Sequence, residues 1–169
     1  SALTGHLVIS TLHTNDAAGA IPRFMSMGTK PFLLAPALNT VIGQRLVRKI
    51  CHACVTEDKL DPETEKKVIE TLKSIPKSAD VKIDFKNLKF WRGAGCKACN
   101  STGYKGRMGI YEILVMDKKL EQIILSEEVS EYKMREAAAE AGMVTMAQDG
   151  LLKALDKITS VEEVFSVAE

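Results

Sequence analysis

The motif pair Cys51-His-Ala-Cys54 and Cys96-Lys-Ala-Cys99 decides how this sequence is organised, because it holds all four cysteines of the 169-residue chain. A Cys-x-x-Cys turn places two sulfur atoms on the same side of a tight loop, and two such turns supply the four thiolates that Zn²⁺ prefers. Four cysteine ligands leave no open coordination position. We therefore predict a structural, not a catalytic, zinc site.

Other readings of the cysteines are free buried thiols or a reversible disulfide. In a secreted chain, four cysteines would indicate two disulfides. Residues 1–6 lack the basic segment and apolar stretch of a signal peptide, so a reducing, cytoplasmic location is expected. A thioredoxin-type redox site would need only one pair. His52 lies inside the first turn and is expected to face solvent.

Composition excludes several classes of function. The chain has 23 basic and 22 acidic residues and a net charge of +1, which gives no electrostatic case for nucleic acid as a partner. The most apolar stretch, Pro31 to Gly43, is too short to span a bilayer and is interrupted by polar residues. We expect a soluble protein with one core, or one core and a satellite.

The first 50 residues predict the beginning of an α/β structure. Leu7 to Leu12 is typical of a buried parallel strand. A helix over Ala17 to Met27 would follow, capped by Asn15 or Asp16 and ended by Gly28. The prolines favour a second helix over Pro36 to Gly43, and alternation predicts a short strand over Arg45 to Ile50.

A charged, lysine-rich insertion occupies residues 55–92 between the two cysteine pairs. Asp61-Pro62 is typical of a helix start. Val81 to Phe90 predicts an edge strand or hairpin arm. Gly93-Ala-Gly95 would then turn the chain into Cys96.

After the second cysteine pair, Met108 to Met116 predicts a strand and the rest is helical. Three helices are expected, over Asp117 to Leu125, Glu131 to Ala141 and Met146 to Lys157. Thr145 with Gln148, and Ser160 with Glu163, fit capping boxes, the second of which would start a final short helix. These patterns divide the chain into residues 1–50, a zinc-binding subdomain at 51–107, and a strand with a helical tail at 108–169.

Two histidines, His6 and His13, bracket the first predicted strand. If that strand is parallel, His13 follows its carboxyl end, where ligands bind in open α/β sheets. An imidazole there can contact a γ-phosphate or position an attacking water. Alternatively, both are polar residues at strand ends with local hydrogen bonds. A hydrolase built on Ser10 and His13 is disfavoured because no Gly-x-Ser-x-Gly motif is present.

Five runs of residues resemble the hexameric ATPases that power type II secretion and type IV pilus assembly. They are Leu3-Thr-Gly-His-Leu-Val-Ile-Ser-Thr-Leu-His-Thr-Asn-Asp-Ala17, Gly19-Ala-Ile-Pro-Arg23, Gln44-Arg-Leu-Val-Arg-Lys-Ile-Cys51, Gly95-Cys-Lys-Ala-Cys99 with Gly103-Tyr-Lys-Gly-Arg107, and Asp149-Gly150 ahead of Ile158-Thr-Ser-Val-Glu-Glu-Val164. They stand in the family's order and cover most of the chain except the insertion.

This resemblance implies the C-terminal portion of a RecA-like ATPase lobe with an inserted zinc-binding subdomain and a helical tail. It implies that His13 lies near the γ-phosphate, that His6 supports it, and that Cys51, Cys54, Cys96 and Cys99 form the family's zinc site. That site is absent from pilus-retraction ATPases and favours the secretion or pilus-extension branch. Arg45 and Arg48 are expected at a solvated strand edge in preference to a contact between subunits.

The resemblance also implies a homohexamer that binds ATP and Mg²⁺ and acts on an inner-membrane platform protein from the cytoplasmic side. Family members carry a phosphate-binding loop and two acidic motifs ahead of the histidine box. No Gly-x₄-Gly-Lys-Ser/Thr occurs in these 169 residues, so we expect no ATPase activity from them alone. The alternative function is a stand-alone zinc ribbon that binds a protein or RNA.

Overall fold

The computed structural model of the chain describes residues 2–126 and 128–168 and has a mixed α/β structure. The elements are α1 (Ala20–Ser26), α2 (Pro31–Ala37), β1 (Thr40–Ile50), β2 (Val55–Asp58), α3 (Pro62–Lys73), β3 (Phe90–Gly93), β4 (Tyr104–Val115), α4 (Lys118–Leu125), α5 (Glu131–Glu140), α6 (Met146–Leu155) and α7 (Val161–Ala168). Short 3₁₀ turns lie at Ala2–Thr4, Lys77–Ala79 and Lys97–Cys99. Strand β1 pairs with β4, and β2 pairs with β3.

Two compact units divide the chain, and each combines two separate segments. The first unit comprises Ser1–Gly43 and Glu112–Met143, and the second comprises Gln44–Tyr111 and Val144–Glu169. None of the helices in the described residues is both long and apolar enough to cross a membrane. The three-part domain division predicted from the sequence stays a prediction.

The first unit is built on a helical core. Its buried side chains include Ile21 of α1, Leu120 and Ile124 of α4 and Met134 of α5. Helices α4 and α5 begin where the sequence predicts, because Asp117 and Ser130 accept hydrogen bonds from backbone N–H groups of the first turns.

A buried carboxylate holds the segment that leads into α1. The Oε1 of Glu112 accepts a hydrogen bond from the backbone N–H of Ala17 at 2.6 Å. Asp16 accepts from the N–H of Gly19 at 2.7 Å and forms an ion pair with Arg135. This polar anchoring fixes a turn over residues 16–19, so α1 begins at Ala20 and not at Ala17 as predicted.

Two predictions for the first unit are wrong. Residues 7–12 form no strand, and Leu7 and Ile9 are 86% and 87% exposed. No strand in the described part of the chain pairs with this segment, so its backbone lacks the ladder that a buried strand requires. The helix over 36–43 is also wrong: Pro31 occupies the first turn of α2, which ends at Ala37, and residues 40–43 join β1.

The second unit has its own core, in which α3 and β3 pack with α6 and α7. Its buried side chains include Val68, Leu72, Phe90, Leu151 and Val161. The predicted helix start is confirmed, because the Asp61 side chain accepts from the N–H groups of Glu63 and Thr64. The capping box of Thr145 and Gln148 is confirmed at α6.

The insertion differs from its predicted strand. Residues 81–89 have no regular structure, and the strand is β3, which pairs antiparallel with β2 in a register that places Val55 opposite Gly93 and Asp58 opposite Phe90. The alternation of apolar and polar residues over 81–90 therefore predicted the wrong segment, since Phe90 is the one residue of that range that belongs to β3. Strand β2 was not predicted, since its four residues carry two acidic side chains.

Gly150 gives a test of how α6 packs on α7. A Cβ at this position would lie 2.6 Å from Cγ1 and 3.0 Å from Cγ2 of Val164, which is fully buried. Glycine to alanine inside a helix ordinarily stabilises by about 1 kcal/mol. Here we expect Gly150→Ala to destabilise by about 1–3 kcal/mol, because overpacking outweighs helix propensity. Urea denaturation measures the change.

The control is the double variant Gly150→Ala/Val164→Ala. Removing the valine methyls creates room for the new Cβ, so the two changes together should cost less than the sum of the single changes. Strictly additive free energies would contradict the close approach of α6 and α7.

Candidate metal centre

The four cysteine sulfurs form one cluster within the second unit. The Sγ atoms of Cys51 and Cys96 lie 3.9 Å apart, as do those of Cys54 and Cys99. Cys96 and Cys99 are separated by 3.7 Å, and all four sulfurs lie within 4.8 Å of one another. The structure thus brings together two pairs that are 45 residues apart in sequence.

This spacing fits a tetrahedral metal ion. A Zn–S distance of about 2.3 Å in a regular tetrahedron places the sulfurs about 3.8 Å apart. A disulfide would require sulfurs about 2.05 Å apart, and all four cysteines are free thiols. The four thiol ligands and the three sulfur–sulfur distances of 3.7–3.9 Å therefore fit a zinc ion.

Backbone hydrogen bonds hold the first cysteine pair. The N–H of Cys54 donates to the carbonyl of Cys51 at 3.1 Å, which closes the turn. The N–H of Cys51 donates to the carbonyl of Gly103, and that of Ala94 donates to the carbonyl of Cys54, both at 2.9 Å. The first pair is thus fastened to the residues that flank the second pair.

The second pair is held by donors to sulfur. The N–H groups of Cys96 and Gly103 donate to the Sγ of Cys99 at 3.2 and 3.3 Å. Burial acts to raise the pKa of Cys99, but these two hydrogen bonds, together with those of the Cys96 and Cys54 thiols, outweigh it and lower the pKa to about 6. The lowered pKa favours the thiolate, the form that binds metals.

The pKa of Cys54 is shifted in the opposite direction, to about 12. Burial is the largest cause, and the neighbouring thiols of Cys96, Cys99 and Cys51 raise the pKa further, whereas the hydrogen bond from the N–H of Gly95 lowers it. Closely spaced thiolates repel one another, so each cysteine that ionises makes the next one harder to deprotonate. A divalent cation at the centre would stabilise all four thiolates.

Two glycines allow the backbone to approach itself beside the cluster. Gly103 has φ +78°, and a Cβ there would lie 2.5 Å from the carbonyl oxygen of Gly93. A Cβ on Gly93 would lie 1.9 Å from the carbonyl oxygen of Gly103. Because backbone atoms cannot rotate aside, both positions require glycine.

Arg48 of β1 is exposed, as predicted, and it also binds a buried carboxylate of α7. Its backbone N–H donates to Glu163 Oε1 at 2.8 Å, and its Nε donates to Oε2 at 2.8 Å. The guanidinium carbon lies 4.2 Å from the centre of the Tyr104 ring. The expected capping box at α7 is half formed: Ser160 Oγ accepts from the N–H of Glu163, whose carboxylate binds Arg48 instead.

The histidines do not join the sulfur cluster. His52 and His13 are exposed, and His6 is exposed with its Nδ1 3.2 Å from the Thr4 hydroxyl. The metal-binding group found among the described residues consists of the four cysteines. A role for His6 and His13 at a nucleotide stays a prediction.

The family model described as "Type II/IV secretion system protein" matches residues 1–166. The chain belongs to this family. The match covers both cysteine pairs and the histidine segment, so the resemblance recognised in the sequence is confirmed.

Relatives within the family carry the names of ATPases and secretion proteins. The chain is 45% identical over 166 residues to the type IV pilus assembly ATPase PilB of Thermus thermophilus, covering 98% of the chain and 17% of the relative. It is 41% identical over 169 residues to the type II secretion system ATPase E of Vibrio cholerae, covering 100% and 31%. It is 38% identical over 167 residues to the type II secretion system protein HxcR of Pseudomonas aeruginosa, covering 99% and 29%. The chain therefore spans less than a third of each of these relatives.

A pair of glycine variants tests the close approach beside the cluster. Gly106 has φ +84°, but a Cβ there meets only the flexible end of Lys49 at 3.8 Å. Gly106→Ala should cost about 1–2 kcal/mol, the ordinary penalty of a left-handed residue. Gly103→Ala should cost distinctly more and weaken zinc binding, because it also forces two backbone segments apart. Thermal melting and zinc titration of both variants measure the difference; equal effects would contradict the role assigned to Gly103.

The ion pair of Arg48 and Glu163 predicts a pH dependence. Burial acts to raise the pKa of Glu163, but hydrogen bonds from the Arg48 side chain and backbone outweigh it and lower the pKa below the ordinary value of 4.5. A carboxyl with a lowered pKa stabilises the fold above its unfolded pKa, and this contribution is lost as pH falls through the folded value.

We expect Glu163→Gln to reduce the unfolding free energy at neutral pH and to flatten its decline at about pH 4 and below. Denaturant titrations across this pH range measure both effects. The matched control is Glu162→Gln, since Glu162 is exposed on the same turn of α7. A Glu163→Gln curve that coincides with that of Glu162→Gln would show that the ion pair contributes nothing.

Proposed function

We propose that this chain is the C-terminal part of an ATPase that drives type II secretion or the extension of a type IV pilus, and that its four cysteines bind a structural Zn²⁺. The observation that carries the proposal is a cluster of four sulfurs at tetrahedral spacing in a chain that matches the secretion family over residues 1–166. Relatives named as ATPases at 41% and 45% identity support it.

Zinc is favoured over other ions by the donor chemistry. Four thiolates are soft ligands, which suit zinc or iron–sulfur chemistry and exclude Mg²⁺ and Ca²⁺ as occupants. The preorganised turns and the N–H donors to Cys99 support a closed structural site. Such a site would fasten the two ends of the residue 55–95 excursion and contribute about 10 kcal/mol of apparent folding free energy.

The histidine segment belongs to the same proposal. Leu7 and Ile9 are apolar yet exposed in this chain, and we propose that the rest of an ATPase lobe of RecA type covers them. In that setting His13 would lie beside the nucleotide's γ-phosphate with His6 in support. ATP and Mg²⁺ would be cofactors of the whole protein.

The proposal extends to the assembly. The active form would be a homohexamer in the cytoplasm, peripheral to the inner membrane and in contact with a platform protein there. The zinc-binding subdomain and the helical tail would shape the ring and transmit motion. A stand-alone zinc ribbon is disfavoured, because the family match extends far beyond the two cysteine pairs.

Metal analysis tests the zinc site. We expect about one zinc per chain in protein purified without added metal, a lower melting temperature after treatment with a chelator, and loss of zinc in Cys51→Ser and Cys99→Ser. The control is His52→Ala, which changes an exposed side chain inside the first turn and should keep its zinc. A wild-type chain that binds no zinc when it is supplied would exclude the structural site.

Phosphate release tests the ATPase assignment. The 169 residues should release no phosphate from ATP, because they contain no phosphate-binding loop. The longer protein that contains them should hydrolyse ATP, and His13→Ala in it should reduce kcat by on the order of 100-fold or more, as expected when a group that positions the reaction is lost. Turnover by the 169 residues alone, independent of zinc, would refute the proposal.

A further inference from the structure

A polar network joins the first turn of α7 to the two strand ends that carry the cysteine pairs. Cys51 directly follows β1, and Tyr104 begins β4 five residues after Cys99. The N–H of Cys51 donates to the carbonyl of Gly103, so the two strand ends meet at the sulfur cluster. Any element that fixes both strand ends also fixes the separation of the sulfur pairs.

The end of β1 is bound by the segment that starts α7. Besides the three-point contact of Arg48 with Glu163, the carbonyl of Arg48 accepts from the Thr159 hydroxyl at 2.9 Å. The N–H of Ile50 donates to the carbonyl of Ile158 at 2.8 Å. Thr159 and Glu163 are buried and bind Arg48, whose side chain is partly exposed to solvent.

The start of β4 is bound by the same segment. The Tyr104 hydroxyl and the Ser160 Oγ lie 2.7 Å apart, and Ser160 is 1% exposed. The Tyr104 ring also stacks under the Arg48 guanidinium. Ser160 and Glu163 thus hold one strand end each, and the cation–π contact of Arg48 with Tyr104 closes the network.

We infer that Glu163 and Tyr104 are positioning residues for the metal centre, so that the docking of α7 sets how tightly the four cysteines bind zinc. This inference rests on the proposed zinc site, and it means that residues of the same unit that do not bind the metal influence its affinity. Outer partners of metal ligands typically change metal affinity by 10–100-fold when mutated. The network acts on the cysteines through the backbone of the two strands and not through direct contact with the sulfur atoms, so we expect zinc affinity to change on the order of 10-fold.

The experiment measures zinc affinity of the full 169-residue chain by competition with a chromogenic chelator. Glu163→Gln and Tyr104→Phe should each weaken zinc binding on the order of 10-fold and speed zinc release. Glu162→Gln is the matched control, and we expect it to bind zinc as the wild type does. Circular dichroism checks that each variant is folded; if Glu163→Gln is not, Tyr104→Phe decides, because it removes a single hydroxyl.

A second readout separates positioning from plain stability. A variant that only lowers stability while staying folded leaves the intrinsic zinc affinity and the spectrum of the Co²⁺-substituted site unchanged. We expect the ligand-field bands of Co²⁺ in both variants to shift from those of the wild type, because the sulfur tetrahedron relaxes.

The outcomes are distinguishable. If the wild type binds no zinc, the proposed metal site itself fails. If the wild type binds zinc while both variants match it in affinity, release rate and Co²⁺ spectrum, the metal site stands and the inference about α7 is overturned.

Discussion

The second unit depends on the convergence of two cysteine pairs that are separated by a long excursion of the chain. Sulfurs 45 residues apart lie 3.9 Å from one another. This proximity is reached because backbone hydrogen bonds and two mutually approaching glycines fasten the first turn to the loop after the second. Ionised thiols this close repel one another, and the proposed metal ion would offset that repulsion.

The segment between the two cysteine pairs is held in place by strand pairing and by helix packing. Strands β2 and β3 pair immediately beside the sulfurs, and α3 packs its buried residues against α6 and α7. This lysine-rich segment therefore contains an ordinary amphipathic helix, with Val68 and Leu72 on its buried face. The insertion is consequently part of the same core as the C-terminal helices.

The family assignment and the geometry support one another at different levels. The family match places the chain among secretion proteins, and the structure supplies a physical reason for the cysteines in it. The apolar residues 7–9 are exposed here, and the rest of the proposed ATPase lobe would cover them. Charge patterning contributes little, because the acidic and basic residues are nearly balanced.

Local patterns in the sequence determined several helix starts and the cysteine site. Asp61 and Thr145 each cap a helix as predicted, and Asp117 and Ser130 cap the helices predicted to begin beside them, because capping depends only on residues within one turn. The matched Cys-x-x-Cys spacing likewise indicated a shared cluster, since it reflects the chemistry of the ligands and not the path between them. Family membership was also readable from the order of the motifs.

Tertiary structure decided what depends on distant partners. Residues 7–12 have the composition of a strand but no neighbouring strand among the described residues, whereas the acidic β2 is a strand because β3 lies beside it. Arg48 is a surface residue, but its partner Glu163, 115 residues away, is a buried carboxylate that the sequence around Arg48 does not indicate. Strand pairing and ion pairs join residues far apart in sequence, and no local pattern specifies which partner each residue meets.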